Sequence, residues 1–286
     1  LVNNGMLGKS CKTPIRYMGG KSRATKTLFS FFPNTAITEY REPFLGGGSM
    51  AIEFTRKYPN TPVWVNDKYY NLYCFWKILQ ESPERLMEQL LSVKSTANNP
   101  STARKLFLDS KERLVLPMTS EFDIAWRWWV CNKCSFSGLG ESSGFSEQAS
   151  VSNFSEKNIR ALVSYGKHIK NWKITNLDYS DLLTNDPSVL VYLDPPYAKV
   201  GKDGKSFLYG KNGDLHKSFD HDSFAKNILS HSSPMLISYD NNELIRSMYK
   251  NFSHKTFSLT YTLHSSKNYR EDEKNRKELV LYNYDL

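Results

Sequence analysis

Cysteine is scarce in this chain. Four occur in 286 residues, at positions 11, 74, 131 and 134, too few to staple a fold of this length. Cys131 and Cys134 form a C-x-x-C, yet no second Cys or His pair lies nearby in sequence to complete a zinc site. They read as ordinary reduced cysteines. No apolar run approaches the roughly 18 residues that a membrane span needs, and Leu1 to Lys12 lacks the apolar heart of a secretory signal. A cytoplasmic location is therefore expected. Internal repeats, long low-complexity tracts and the G-x-x-x-x-G-K-[ST] spacing of a P-loop are also missing. Acidic residues fall short of basic ones, 29 against 38, and the formal charge of +9 favours a polyanionic partner.

Among what is present, Val189-Leu190-Val191-Tyr192-Leu193 stands out, followed at once by Asp194-Pro195-Pro196-Tyr197. Five apolar residues, mostly β-branched or aromatic, read as a strand buried on both faces. Two prolines forbid its continuation, since proline donates no hydrogen to a ladder. A carboxylate and a ring are thus held where an inner strand of an α/β sheet opens into its ligand crevice. Asp194 and the proline carbonyls accept but do not donate, which suits an amino group held against the Tyr197 ring. A Pro-Pro turn with an exposed Asp and a packed Tyr fits these four residues equally well.

Three further stretches have the same flavour. Gly19-Gly20-Lys21 precedes a helix carrying Leu28, Phe29, Phe31 and Phe32. Lys21 is either solvated or placed to meet a carboxylate or phosphate. A strand over 36–45 runs into Gly46-Gly47-Gly48-Ser49 and a helix from Met50 to about Tyr58, the strand–glycine loop–helix cradle of doubly wound folds. A strand over 63–67 ends in Asp67, about 20 residues past those glycines, where an acid takes up ribose hydroxyls or caps the next helix; the ligand role is favoured.

From about 75 to 170 the βαβ rhythm breaks. Helices are predicted over 75–79, 83–93, 103–116, 122–130 and 156–170, with a polar loop over 135–155. Trp126, Trp128 and Trp129 read mostly as core, and Phe136, flanked by serines, as an exposed contact. The α/β rhythm then resumes with strands over 173–177, 189–193, 234–238, 255–263 and 279–284 and helices over 224–230 and 242–249. A segment over 198–217, rich in glycine and lysine (Lys199, Lys202, Lys205, Lys211, Lys217), and a basic loop with Lys267, Arg270, Lys274, Arg276 and Lys277 complete the pattern.

Taken together, Tyr17-Met-Gly-Gly-Lys21, Glu42-Pro-Phe-Leu-Gly-Gly-Gly-Ser49, Asn66-Asp67 and Asp194-Pro-Pro-Tyr197 resemble the motifs of the Dam-type, or group alpha, DNA adenine-N6 methyltransferases. Their order fits, and the similarity extends over nearly the whole chain, including the strand end Leu236-Ile-Ser-Tyr-Asp240 and the closing Glu278-Leu-Val-Leu-Tyr. The resemblance implies an α/β fold: a Rossmann-like, S-adenosylmethionine-dependent methyltransferase sheet, mostly parallel, with one antiparallel strand near the end of the chain. It also implies a catalytic domain over 1–74 and 171–286, interrupted by a helical DNA-recognition subdomain over 75–170. S-adenosylmethionine is the expected methyl donor, and no metal is expected.

By position, Tyr17 and Lys21 match residues at the methionine end of the cofactor. Phe44, Gly46 and Gly48 belong to its glycine cradle, Asp67 to its ribose, Asp178 to its adenine, and Asp194 lies beside the reacting centre. Asp194 and the Pro195 carbonyl would accept from the adenine N6–H, with Pro196 and Tyr197 completing the motif. Tyr197 would stack on a base flipped from the duplex, an extrusion of a few kcal/mol offset by stacking of about 1–3 kcal/mol. Asn132-Lys133-Cys-Ser-Phe136-Ser137-Gly-Leu139 resembles a family hairpin whose aromatic, here Phe136, enters the duplex, with Lys133 as its basic member. Glu141 departs from the pattern. Members that read guanine can carry arginine there, whereas an acid would accept from cytosine N4, so no GATC specificity is assigned. The expected partners are double-stranded DNA, S-adenosylmethionine and a cognate restriction endonuclease, with no membrane. Cytosine-N4 methylation, RNA or protein-amide methylation, and a DNA-binding module with an inactive cofactor site are the rival readings.

Overall fold

Short strands and covering helices account for most of the described residues. The computed structural model describes residues 12–117, 120–197, 219–258 and 277–286. Its strands are β1 (Glu39–Glu42), β2 (Val63–Asn66), β3 (Lys173–Thr175), β4 (Val189–Leu193), β5 (Met235–Asp240), β6 (Ser253–Ser258) and β7 (Lys277–Tyr282). They form one sheet in the order β3-β2-β1-β4-β5-β7-β6. The pairs β1–β2, β2–β3, β1–β4 and β4–β5 are parallel, and β7 runs antiparallel to both β5 and β6.

The two-sided burial expected of β4 is met at all five positions. Val189, Val191 and Leu193 enter one core with Phe224, Ile228 and Ile237. Leu190 and Tyr192 enter the other with Tyr40, Phe54 and Leu236. Because side chains alternate across a strand, a strand covered on both faces must be apolar throughout.

On the face of Leu190 and Tyr192 lie α1 (Thr25–Phe29), α2 (Ser49–Lys57) and the inserted helices α3 (Tyr70–Glu81), α4 (Pro83–Thr96), α5 (Pro100–Val115), α6 (Glu121–Cys134), α7 (Glu147–Ser152) and α8 (Glu156–His168). On the other lie α9 (His221–Leu229) and α10 (Glu243–Met248). From β1 the chain steps outward to β2 and β3, then returns to β4 and steps outward the other way. That reversal opens the sheet between β1 and β4, where ligands bind in open α/β folds.

The inserted helices are a layer of the same molecule, because one core runs from Tyr40 and Val65 through Trp76, Leu86 and Phe107 to Trp129. Trp126, Trp128 and Trp129 are buried in it, as expected of most of that aromatic group. Several elements are longer than sequence periodicity indicates. Helix α3 spans Tyr70–Glu81 and α6 continues to Cys134, since burial on several sides blurs the amphipathic signal. The stretch expected to be a polar loop over 135–155 contains two 3-10 turns and α7, whose N-cap Ser146 accepts from Ala149 N. Cys74, Cys131 and Cys134 are buried free thiols. The lysine-rich segment with Lys199, Lys202, Lys205, Lys211 and Lys217, the basic-loop residues Lys267, Arg270, Lys274 and Arg276, and Cys11 lie outside the described residues.

Candidate active site

The glycine loop after β1 is shaped by its neighbours. Gly46 has φ +48°, and a Cβ there would come within 2.6 Å of the Tyr17 ring. Only glycine lets that ring lie against the loop. The Gly46 carbonyl accepts from Trp76 Nε1 at 3.1 Å, so a helix of the insertion pins the loop from behind. In front, Gly46 N donates to Asp67 Oδ2 at 2.8 Å and Tyr69 N donates to Asp67 Oδ1 at 2.9 Å. Asp67 therefore caps the turn leading into α3 and also braces the glycine loop. Desolvation pushes its carboxyl up to about 6, against the pull of those two backbone donors. Asn66 beneath it ties three segments, donating to the Pro43 and Leu177 carbonyls and accepting from Leu177 N and Thr175 Oγ1.

At the carboxyl end of β4, Asp194 meets Lys21. The Lys21 ammonium sits 2.8 Å from both carboxylate oxygens and 3.0 Å from the Gly19 carbonyl, with only 2% of the residue exposed. Of the two fates open to Lys21 in sequence, the structure shows the carboxylate one. Ser238 Oγ donates to Asp194 Oδ1 at 2.9 Å. The Tyr197 ring lies 4.8 Å from the Lys21 ammonium, and its hydroxyl donates to buried Glu278 at 2.6 Å. Nearby, Glu42 accepts from Tyr40 OH at 2.9 Å. Burial pushes its carboxyl well above the usual range, the Tyr40 bond opposes this, and the Asp194 charge adds to it.

Lys21, Glu42, Asn66, Asp67 and Asp194 face one cavity of about 460 Å3, the size of a small-molecule site. Tyr17, Lys21, Phe44, Gly46, Asp67, Asp178, Asp194 and Pro196 all line it. Gly48, Pro195 and Tyr197 do not line this cavity; Gly48 packs behind the loop on Trp76, while Tyr197 sits beside Lys21. Asp178 caps the 3-10 turn Tyr179–Leu182 by accepting from Ser180 N. At that end Phe44 stacks on Tyr179 with centroids 5.7 Å apart and meets Phe219 edge-on at 5.8 Å. The cavity is thus lined by aromatic rings, by acids and by the Lys21–Asp194 ion pair.

A family model described as D12 class N6 adenine-specific DNA methyltransferase matches residues 17–263. The chain belongs to that family. It is an adenine-specific DNA methyltransferase with S-adenosylmethionine as its methyl donor and DNA as its substrate. Its sheet is mixed, parallel from β3 to β5 and antiparallel at β7 and β6. Among its relatives, the type II methyltransferase M.CviBI of Paramecium bursaria Chlorella virus NC1A is 24% identical over 282 residues, covering 96% of this chain and all of the relative. The type II methyltransferase M.MjaIII of Methanocaldococcus jannaschii is 25% identical over 213 residues, 69% of this chain and 73% of that protein. The modification methylase StsI of Streptococcus sanguinis is 26% identical over 202 residues, 66% of this chain and 29% of that protein.

In this methyltransferase the residues expected to read DNA divide into exposed and buried groups. Phe136 is 53% exposed on a hairpin closed by the Ser135–Phe145 bridge and by Phe136 N donating to the Gly144 carbonyl. Leu139 is half-buried beside it. Ser137 is buried at φ +55°, and a Cβ on the following Gly138 would come within 2.5 Å of Arg16 Cβ. Asn132 is buried and holds the Arg16 backbone at both its N–H and its carbonyl. Lys133 is buried near the Trp129 ring; desolvation, with Arg16 nearby, lowers its pKa to about 7. Glu141 faces inward, accepting from Tyr69 OH and, at 2.8 Å, from Asn71 Nδ2.

Sequence reasoning did not single out Tyr179, Phe219, Trp76, Glu42 or Tyr192 as site residues. Tyr179, Phe219, Glu42 and Tyr192 line the cavity and Trp76 holds the glycine loop through the Gly46 carbonyl, a convergence that no local pattern encodes. Ser238 and Glu278 lay inside quoted motifs, although nothing in those motifs showed which side chain faces inward.

Proposed function

We propose that this chain methylates adenine N6 within a specific duplex sequence, on a base extruded from the helix. The observation that carries the reading is the shared cavity, lined both by an acceptor carboxylate, Asp194, pinned at 2.8 Å by Lys21 and by Asp67. S-adenosylmethionine matches the residues present. Asp67 has acceptor directions beyond its two backbone donors and would take the ribose hydroxyls. Phe44 and Tyr179, with Asp178 beside them, would hold the adenine. Tyr17, Gly46 and Lys21 would bound the methionine end, with Gly48 setting the entry to α2. When bound, this cofactor supplies an electrophilic sulfonium methyl.

The N6 lone pair of adenine is delocalised into the ring and is a poor nucleophile. Hydrogen bonds from its amino group to Asp194 and the Pro195 carbonyl favour a more tetrahedral nitrogen whose lone pair is aimed rather than conjugated. Rate then comes from positioning and fixed electrostatics. The Pro195-Pro196 pair holds the turn, and Tyr197 offers a ring for the extruded base. Phe136 is the group best placed to enter the duplex, with Leu139 and Ser137 shaping its turn. A cognate restriction endonuclease is the proposed further partner, by analogy with relatives named type II methyltransferase and modification methylase, and an intracellular, DNA-associated location follows from that role.

Asp194→Ala tests the assignment. Methyl transfer from labelled cofactor to N6-methyladenine should fall by at least about 100-fold, with DNA retention unchanged. Preserved turnover would overturn the role of Asp194. A 2-aminopurine placed at the target adenine should brighten on binding if the base leaves the stack; unchanged fluorescence would remove extrusion from the reading.

A further inference from the structure

Asp194 is held by more than its ion pair. The Lys21 ammonium is 2.8 Å from each carboxylate oxygen, and a point charge equidistant from two oxygens favours neither. It anchors the carboxylate without deciding which oxygen faces the substrate. The adjacent strand breaks that symmetry. Leu193 of β4 pairs with Ile237 of β5, so the next positions, Asp194 and Ser238, lie side by side. Ser238 Oγ contacts Oδ1 at 2.9 Å.

The direction of the network follows from donor chemistry. A carboxylate engaged by an ammonium only accepts, so the single Ser238 hydroxyl hydrogen goes to Oδ1. The Tyr192 hydroxyl, 2.9 Å from Ser238 Oγ, must then be the donor to Ser238. Ser238 is 0% and Tyr192 1% exposed, so bulk water does not compete for these bonds. Burial and the neighbouring Asp194 charge both keep the Tyr192 phenol protonated. Of the four lone-pair directions of the carboxylate, Lys21 takes one on each oxygen and Ser238 a second on Oδ1. Among the described residues, the remaining direction belongs to Oδ2.

We propose that Ser238 and Tyr192 are positioning residues for methyl transfer, the chain Tyr192 OH to Ser238 Oγ to Asp194 Oδ1 turning the carboxylate so that Oδ2 meets the adenine amino group. This rests on the reading of Asp194 as the acceptor of that group. Tyr192 and Ser238 act through Asp194, and neither is placed on the reacting atoms.

The test is single-turnover methyl transfer by the full chain with Ser238→Ala, Ser238→Cys, Tyr192→Phe and the Ser238→Ala/Tyr192→Phe double variant, beside Asp194→Asn. Removing a hydrogen bond to a charged group should lower the rate of Ser238→Ala by about 10- to 100-fold. Tyr192→Phe should lose about 3- to 10-fold, as one neutral bond further away. Ser238→Cys, which keeps the volume but donates weakly, should fall between wild type and Ser238→Ala. Cofactor affinity and KM for DNA should stay at wild-type values in the Ser238 variants, whose side chain does not line the cavity. The double variant should be no slower than Ser238→Ala, because Tyr192 works only through Ser238; two independent packing defects would multiply instead. Wild-type rates in Ser238→Ala, multiplying losses, or a loss seen only as weaker binding would overturn the proposal. If Ser238→Ala does not fold, Ser238→Cys and Tyr192→Phe carry the same comparison. Normal turnover by Asp194→Asn would instead overturn the underlying reading of Asp194, whereas an inactive Asp194→Asn beside a fully active Ser238→Ala would overturn only the positioning role.

Discussion

Asp67 is asked to do two things with one carboxylate. It ties Gly46 N to Tyr69 N, and it lines the cavity, with desolvation raising its pKa to about 6. A carboxyl whose pKa is higher folded than unfolded binds protons more tightly in the native state. Its contribution to stability is therefore fully present below about pH 4 and is lost as pH rises through about 6. Ligand binding runs the other way, because the ionised form is the stronger acceptor for ribose hydroxyls. S-adenosylmethionine affinity measured by calorimetry should fall about tenfold between pH 7.5 and pH 5. Asp67→Asn should bind weakly at both and show a flat profile; an unchanged slope in that variant would assign the pH dependence to another group.

At the scale of elements, the junction of β1 and α2 is the tightest piece of design in the site. Gly48 is the N-cap of α2 at φ +67°, and a Cβ there would meet two Trp76 ring atoms at 2.8 Å. A left-handed conformation in a residue with a side chain costs about 1–2 kcal/mol, and overpacking against a rigid ring about 1–3 kcal/mol more. Gly48→Ala should therefore lower the thermal midpoint by roughly 5–10 °C and weaken cofactor binding with it. A variant melting with wild type would show that Trp76 can move and that the loop is not braced. The hairpin carrying Phe136 is built on the same logic, with Gly138 seated against Arg16.

Across the whole molecule, the helical layer and the sheet are bound through the site itself. Trp76 reaches Gly46, Asn132 holds the Arg16 backbone next to Tyr17, and Glu141 meets Tyr69, whose own N–H holds Asp67. Placing Glu141 in that tie explains why an acid stands where a base-reading arginine would be looked for: its carboxylate is spent inside the protein. Phe136 is left as the exposed apolar contact of the hairpin. Phe136→Ala should weaken binding to the target sequence by about 10- to 100-fold and binding to unrelated DNA by much less, since the latter rests on phosphate electrostatics and a net charge of +9. Filter-binding at fixed salt checks this, and equal losses on both DNAs would make Phe136 a packing residue.

Local chemistry made much of this protein legible in one dimension. The doubly buried β4, the Pro-Pro stop after Asp194, the glycine loop opening α2 and the acid ending β2 follow from alternation, missing donors and φ preference, all of which act between near neighbours in the chain. Tertiary structure alone decided which side chains meet. That Lys21 pairs with Asp194, 173 residues away, was one of two fates the sequence allowed, and that Ser238 selects Oδ1 depends on a strand register no local pattern encodes. Lys133 and Glu141 make the same point from the other side. A charged residue in sequence reads as exposed because burial of charge is costly; here the fold brings Tyr69 and Asn71 as donors to Glu141, while Lys133 meets the cost beside the Trp129 ring by a pKa lowered to about 7.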